Sequence, residues 1–566
     1  VIFGIDLGTT NSLIAYLKDG VPTPIPNVFG EFTTPSVVAL DESNEILVGR
    51  NARERLYTTP RQSVASFKRL MGSTEQIALG KRHFRAEDLS ALVLRSLAAD
   101  AEAHLNERVE EVVISVPAYF NDTQRKATRL AGELAGLSVR RLINEPTAAA
   151  LFHGIAERED DATFLVFDLG GGTFDVSILE RFSGVMEVRA TGGDSFLGGD
   201  DFTEMMMRLI ADQLALPPKK RTEPRIASAL RFAAESAKRA LSEDKEAEVQ
   251  LPAALGGSVF RITATDYESA CSGLLQRLRS PVEQAMRDAR LQLSGLAEIV
   301  LVGGATRMPM IRRLAAQLFG RLPARYPDPD QTIALGAAVC AGLVGRDAAF
   351  EEMVLADVCP HSLGTSVSER DARGTMIGDI FLPIIERNTV VPASRVKTVQ
   401  TVADFQEKLR IDIYQGESRQ CSKNVHLGGM EFTIPLEKAG EVKADIRYTY
   451  DVNGILDVDI DIGRAGISKN LLIKKLSGDV SEEEIERRRL ELAELKVHPR
   501  DQEQNRLLLE SGDRLYEHLL GDERQFVGSW LDEFRAVLER QDPREIKAAG
   551  DALKDRLAAL ERGGAW

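Results

Sequence analysis

The sequence predicts a multidomain chain: α/β up to about residue 350, then β, then α-helical from Ser481 to the end. Three observations predict it. A glycine-rich loop between apolar strands occurs twice in the first region. Strand-like and helix-like stretches alternate as far as Phe350, which argues for helices packed on sheets. Beyond Phe350 the apolar period shortens to two residues, and beyond Ser481 it becomes helical. A chain of 566 residues exceeds a single core, so roughly two to four domains are expected.

The first loop is Ile2-Phe3-Gly4-Ile5-Asp6-Leu7-Gly8-Thr9-Thr10-Asn11-Ser12. The second is Phe167-Asp168-Leu169-Gly170-Gly171-Gly172-Thr173-Phe174-Asp175. Each is a strand, an Asp, a Gly/Thr turn and a second strand. Glycines let backbone N–H groups approach an anion, and threonine hydroxyls add donors. An Asp at each strand end suits a hydrated divalent cation. Two such loops suggest two lobes gripping one nucleotide by its phosphates. Further along, Val112–Val116 reads as a buried strand, Asp122–Ala135 as a helix and Ile299–Val302 as another short strand.

The segment from Glu351 to Asp357 reads as a linker. After it, Leu409-Arg410-Ile411-Asp412-Ile413-Tyr414 places its apolar side chains on one face. Asn453-Gly454 joins two alternating runs as a hairpin turn. Strand geometry puts Asp457, Asp459 and Asp461 in one solvated row rather than in a metal site. Ser481 and Glu484 form a capping box. Leu490, Leu492, Ala493 and Leu495 follow as an apolar stripe that Pro499 interrupts. Leu515, Leu519 and Leu520, then Trp530, Phe534 and Leu538, continue at helical spacing and read as helix–helix core.

Composition narrows the class. Hydrophobic residues make up 43% and charged residues 28%, as in a soluble globular protein. The net charge of -15, without a basic run, argues against nucleic-acid binding. The four cysteines, Cys271, Cys340, Cys359 and Cys421, form no CxxC pair and read as reduced thiols in a reducing compartment. Seven histidines make no HExxH and no zinc cluster. No apolar run approaches the ~18 residues that span a membrane, and no export signal is visible ahead of the first strand. The reading is of a soluble protein of a reducing compartment that binds no membrane.

The motifs IDLGTTNS, VPAYFND, INEPTAAA, FDLGGGTFDVS, FLGGDDF, VLVGGATRMP and LGAAV occur in that order. In these the chain resembles the seventy-kilodalton heat-shock chaperones over essentially its full length, and most of all their short bacterial HscC branch. The resemblance implies an actin-like ATPase domain over residues 1–350, a linker over 351–357, a β-sandwich that binds peptides over 358–478 and a helical lid over 479–566. It implies ATP or ADP as ligand, with Mg²⁺, and K⁺ beside them.

Residue by residue, the resemblance places Asp6, Gly8, Thr9, Thr10, Asn11, Gly170, Gly171, Gly172, Thr173 and Gly199 around the phosphates, with Asp6 and Asp168 holding hydrated Mg²⁺. Lys68 matches the lysine that reaches the γ-phosphate and positions the attacking water. Glu145, Asp168, Thr173 and Asp175 complete the catalytic set. Glu235, Lys238, Arg239 and Ser242 match one wall of the adenosine pocket, and Gly303, Gly304, Arg307 and Asp330 the other. Such a set fits phosphoryl transfer, which needs charge neutralisation and positioning more than covalent catalysis.

The resemblance further implies coupling between domains. Pro117 and Arg125 match a proline switch with its arginine relay. Val354, Leu355 and Asp357 match a linker that docks in the ATP state, and Arg141 a position where a J-domain partner binds. Val399, Val402, Leu409 and Ile411 match the lining of a cleft for extended apolar segments of unfolded polypeptides. Short stretches after Lys68 and after Leu251 leave the usual exchange-factor contacts open. Thr365 and Ser368 stand where apolar cleft residues are expected, so the cleft should be more polar or differently arched. A small-molecule kinase and a filament-forming actin relative share the nucleotide fold, but neither carries a linker and a β region of this kind.

Overall fold

The structure is a computed structural model that describes residues 1–157, 162–182, 185–324, 328–345, 354–370, 376–450, 456–473, 500–519, 521–540 and 543–561. The Asn453-Gly454 turn, the Ser481–Glu484 cap and the stripe from Leu490 to Pro499 lie outside the described residues, as does Leu520.

Two lobes repeat one strand plan. In the first, Ile2–Asp6 lies between a parallel neighbour, Glu111–Val116, and an antiparallel one, Asn11–Lys18. In the second, Ala162–Leu169 lies between the parallel Glu298–Val302 and the antiparallel Phe174–Phe182. The two glycine loops are therefore the same turn in each lobe. Strands buried on both faces explain the continuous apolar runs, and Phe164–Leu169 is buried throughout.

The helices used below are α1 (Arg50–Thr58), α2 (Glu145–Glu157), α3 (Pro224–Glu243), α4 (Thr332–Gly345), α5 (Arg500–His518), α6 (Gly521–Arg540) and α7 (Pro543–Glu561). α1 belongs to the first lobe and α3 to the second. α2 and α4 cross between the lobes. There Gly336 lies against the Ala148 backbone, and Gly4 against the backbone of Ala337 and Ala338, so closely that an added methyl would overlap main-chain atoms.

The linker is a strand. Val354–Val358 pairs in parallel with Val185–Asp194 through Val185–Val354, Met186–Leu355 and Glu187–Ala356. Its last residues pair antiparallel with Val390–Val391. The second lobe's sheet thus continues into the β region. That region stacks two four-stranded sheets. In Lys408–Gln415, Leu409, Ile411 and Ile413 are buried and Arg410 is exposed, as the alternation predicts. Asp457 and Asp459 are half-buried and Asp461 is exposed.

α5, α6 and α7 form a helical unit around Leu515, Val527, Leu531, Phe534, Leu553 and Leu557. It lies against the first lobe, with α5 along α1. All four cysteines are free and buried. No helix among the described residues is long and apolar enough to cross a membrane.

Candidate functional site

The loops bring four carboxylates and one lysine to the floor of the cleft between the lobes. Lys68, on the one-turn helix Phe67–Leu70, donates from Nζ to Glu145 Oε1 at 2.7 Å, with both side chains buried. Its ammonium also lies 5.6 Å from the centre of the Phe120 ring. Ser115 Oγ donates to Asp6 Oδ1 at 2.8 Å. The Tyr119 N–H donates to Asp175 Oδ1 at 3.0 Å. Asp168 completes the set, and its Oδ2 is buried without a hydrogen-bond partner.

One lysine does not balance this charge. Burial, and then the Glu145 charge, push the carboxyls of Asp6 and Asp175 up to about 7. Burial followed by Glu145, Asp175 and Asp6 holds Asp168 well above the carboxylate range. Desolvated carboxylates ionise only when compensated, so the site suits a cation. No group of three or more His, Cys, Asp or Glu able to ligate a metal stands together among the described residues. Mg²⁺ keeps several waters and needs only one or two carboxylates plus phosphate oxygens. Asp6 and Asp168 are the carboxylates that could hold such an ion.

The two glycine loops sit above these groups. Gly171 and Gly172 face Thr10 and Thr9 across the cleft so tightly that a Cβ on either glycine would overlap the threonine side chain. The loops are shaped from within. The Gly8 N–H donates to Ser12 Oγ at 3.2 Å, the Gly170 N–H to the Thr173 carbonyl at 3.1 Å, and the Gly199 N–H to the Gly170 carbonyl at 2.9 Å. Thr173 is buried; Thr10 and Asn11 are exposed at the cleft mouth. Two cross-lobe bonds absent from the sequence reading close the rim. Ser66 Oγ donates to Asp200 Oδ2 at 2.6 Å, and Arg69 pairs with Asp201 at 2.5 Å.

At the far end, α3 presents Glu235, Lys238, Arg239 and Ser242. Lys238 Nζ donates to Thr203 Oγ1 at 2.7 Å and pairs with Glu235 at 2.8 Å; Arg239 pairs with Glu235 at 3.0 Å. Although burial opposes ionisation, these two cations pull the Glu235 carboxyl down to about 2. Opposite stand Gly303, at φ 85°, and Gly304; Arg307 donates to Asp330 Oδ2 at 2.6 Å. The Gly303 position requires glycine, since a side chain there would be strained and would meet Leu169 and Asp168.

From this floor, contacts run to the β region. Pro117 is buried at the end of Glu111–Val116. Arg125 donates to the carbonyls of Phe120 and Ala118 and, at 2.6 Å, to Asn144 Oδ1. Asn144 Nδ2 in turn donates to both carboxylate oxygens of Asp357, at 3.0 and 2.9 Å. Burial raises the Asp357 carboxyl, while the Val358 N–H, Arg125 and then Arg141 oppose the shift. Arg141 is half-buried on Ser138–Asn144. Of Val354 and Leu355 only the backbone is described.

Three contacts here escaped the sequence reading. His361 Nε2 donates to the Tyr119 carbonyl at 2.9 Å. Arg387 forks onto Asp288 at 2.9 and 3.1 Å. The Asp122 N–H donates to Gln415 Oε1 at 2.9 Å. His361 and Gln415 carry no local pattern, and only their partners sit inside a quoted motif. In the β region Leu409 and Ile411 are buried and Val399 and Val402 half-buried. Thr365 is buried with its hydroxyl donating to the Asp412 carbonyl at 2.8 Å, so its polarity is satisfied internally.

Comparison with known proteins agrees with this geometry. The family model described as Hsp70 protein matches residues 2–562. The chaperone protein DnaK of Thermotoga petrophila is 37% identical over 98% of this chain and 95% of its own length. Chaperone protein DnaK 1 of a Synechococcus species is 37% identical over 99% of this chain and 80% of its own. Chaperone protein dnaK3 of Thermosynechococcus vestitus is 38% identical over 98% and 87%. With twin glycine loops, a β-sandwich and terminal helices on one continuous match, the chain belongs to the Hsp70 family.

Proposed function

We propose that the docked linker represents the peptide-releasing state of this ATP-dependent chaperone, in which a nucleotide in the cleft sets the grip of the β region on unfolded polypeptide. The single observation that carries the reading is the linker strand. It is hydrogen-bonded into the second lobe, and its Asp357 is held by the residue next to Glu145 in sequence. A ligand shifts such an equilibrium only through differential affinity for the two states, and the Asn144–Asp357 bond gives the cleft a direct stake in docking.

In the cleft, Lys68 holds charge beside the γ-phosphate, and Glu145 fixes the lysine. Asp175, steadied by the Tyr119 N–H, orients water. Gly8–Asn11, Gly170–Thr173 and Gly199 enclose the phosphates. Mg²⁺ supplies charge neutralisation when bound, with Asp6 and Asp168 as its protein anchors. Glu235, Lys238, Arg239, Ser242, Gly303, Gly304, Arg307 and Asp330 bracket the nucleoside. K⁺ beside the phosphates belongs to the same reading.

The domain limits are 1–350, 351–357, 358–478 and 479–566. Pro117 and Arg125 relay the cleft state, a J-domain partner docks near Arg141, and Val399, Val402, Leu409 and Ile411 line the peptide cleft. The cell compartment is the bacterial cytoplasm and the branch is the short HscC type. The test is the dissociation rate of a fluorescent unfolded peptide with Mg·ATP and with Mg·ADP. Faster loss with ATP is expected; equal rates would refute the reading.

A further inference from the structure

Where α5 runs along the first lobe, it also reaches the second. Phe232 stands on α3, one turn before Glu235. Its ring is met from three sides. Tyr57 of α1 approaches edge-on at 4.8 Å and 76°. His518 of α5 stacks at 5.1 Å and 27°. The Arg514 guanidinium lies 5.4 Å from the ring centre. Arg514 also donates from Nε to Glu54 Oε2 of α1 at 2.6 Å, so one lid side chain engages both lobes. Ser228 Oγ of α3 donates to the Leu56 carbonyl of α1 at 2.6 Å. Further along α5, Arg506 meets Asp41 and Glu45 at 3.1 and 3.2 Å, and Glu510 meets Arg55, all in the first lobe.

Beside this junction the lobes stand apart. A cavity of about 520 Å³ is lined by Leu56 and Pro60 on one side and by Met207, Ala211 and Leu230 on the other. The Tyr57–Phe232 contact and the Ser228–Leu56 hydrogen bond tie the two helices together beside this opening. Burial, then Arg514, push the His518 imidazole down to about 4. It is therefore neutral at pH 7 and stacks without repelling the guanidinium. Because α3 carries Glu235, Lys238 and Arg239, whatever ties α3 to α1 ties the adenosine wall to the phosphate loops.

We propose that the lid is also a staple across the nucleotide cleft: docked, Arg514 and His518 hold Phe232 against Tyr57 and slow nucleotide release; lifted, they free the second lobe to swing outward. The proposal rests on the reading that ATP favours the docked arrangement. A stacked ring and a cation over an aromatic face together correspond to roughly a tenfold change in release rate.

The test uses the full chain loaded with Mg²⁺ and methylanthraniloyl-ATP or methylanthraniloyl-ADP, chased with unlabelled nucleotide in a stopped-flow instrument. The double variant Arg514→Ala/His518→Ala is expected to release the ATP analogue roughly ten times faster and the ADP analogue at the unaltered rate. Phe232→Leu, which keeps an apolar side chain on α3, is expected to release ATP faster too and to make the lid substitutions silent. An unchanged ATP release rate in the double variant would overturn the staple, as would equal acceleration with ADP or an undiminished lid effect in the Phe232→Leu background. Limited proteolysis of the linker in the unaltered chain reads the underlying assumption separately. Equal protection with ATP and ADP would overturn nucleotide-controlled docking, while the ATP release rates would still judge the staple.

Discussion

Asn144 grips both carboxylate oxygens of Asp357, at 3.0 and 2.9 Å, while its own Oδ1 accepts from Arg125 at 2.6 Å. One amide thus uses its donors on the linker and its acceptor on the first lobe, directly beside Glu145. Asp357→Asn puts an amide where two acceptor oxygens are needed and leaves an N–H group facing donors. Hydrogen bonds to a charged group are the strong ones, so ATP-driven peptide release is expected to slow roughly tenfold. Stopped-flow release at unaltered speed would refute the linker's part in the coupling.

The Arg387–Asp288 fork also joins the β region to the second lobe, but its side chains are 29% and 20% exposed. Ion pairs in contact with solvent contribute little. Asp288→Lys is therefore expected to weaken ATP-driven release by no more than about fivefold, with partial rescue by Arg387→Glu. A loss as large as that of Asp357→Asn would overturn this ranking.

Lys68→Ala is expected to leave nucleotide binding within a few-fold and to lower single-turnover hydrolysis roughly 100- to 1,000-fold, the usual effect of removing one preorganised charge from a transition state. Quench-flow hydrolysis near the unaltered rate would remove Lys68 from the catalytic set.

Proton uptake follows from the crowded carboxylates. The carboxyls of Asp6 and Asp175 lie near 7 in the folded chain, against 3.8 for an ordinary Asp. The folded state then binds more protons than the unfolded one between about pH 4 and pH 7, so stability without nucleotide falls as pH rises through that window and levels off above it. Mg·ATP should displace those protons. Binding is expected to tighten from pH 5.5 to 7.5 and to release protons, seen as a calorimetric heat that depends on the buffer's ionisation enthalpy. Binding with no proton release at pH 6 would contradict the assignment.

His361 is expected to make docking pH-sensitive in the opposite sense. Burial holds its imidazole below the ordinary 6.5, opposed by the Tyr119 carbonyl and Glu417 and reinforced by Arg125 and Arg387. Docking is expected to be full above pH 6.5 and to weaken as pH falls below it, because only the undocked ring protonates readily. Linker proteolysis with ATP should accelerate between pH 7.5 and 5.5, and His361→Phe should flatten that dependence.

Much of the floor of the site was legible because it is local. Asp6, Gly8–Thr10 and Asp168–Thr173 sit in continuous strand–turn–strand segments whose chemistry follows from order alone. The three-part change of texture was legible for the same reason, since side-chain period reports the secondary structure. The linker's extended form was not, because a strand of five residues is decided by what it pairs with. Nor were Asn144, His361 or the Phe232 junction. Tyr57, Phe232 and His518 belong to three separate parts of the chain, and nothing beside them in sequence announces a meeting.

The crossing of α2 and α4 has its own consequence. Gly336 and Gly4 press on bare main chain there, while Leu13, Phe152 and Leu335 pack alongside. Close-packed interiors leave such a contact no slack. One extra methyl at Gly336 would run into the Ala148 carbonyl and wedge the two helices apart, as a pebble does a closing door.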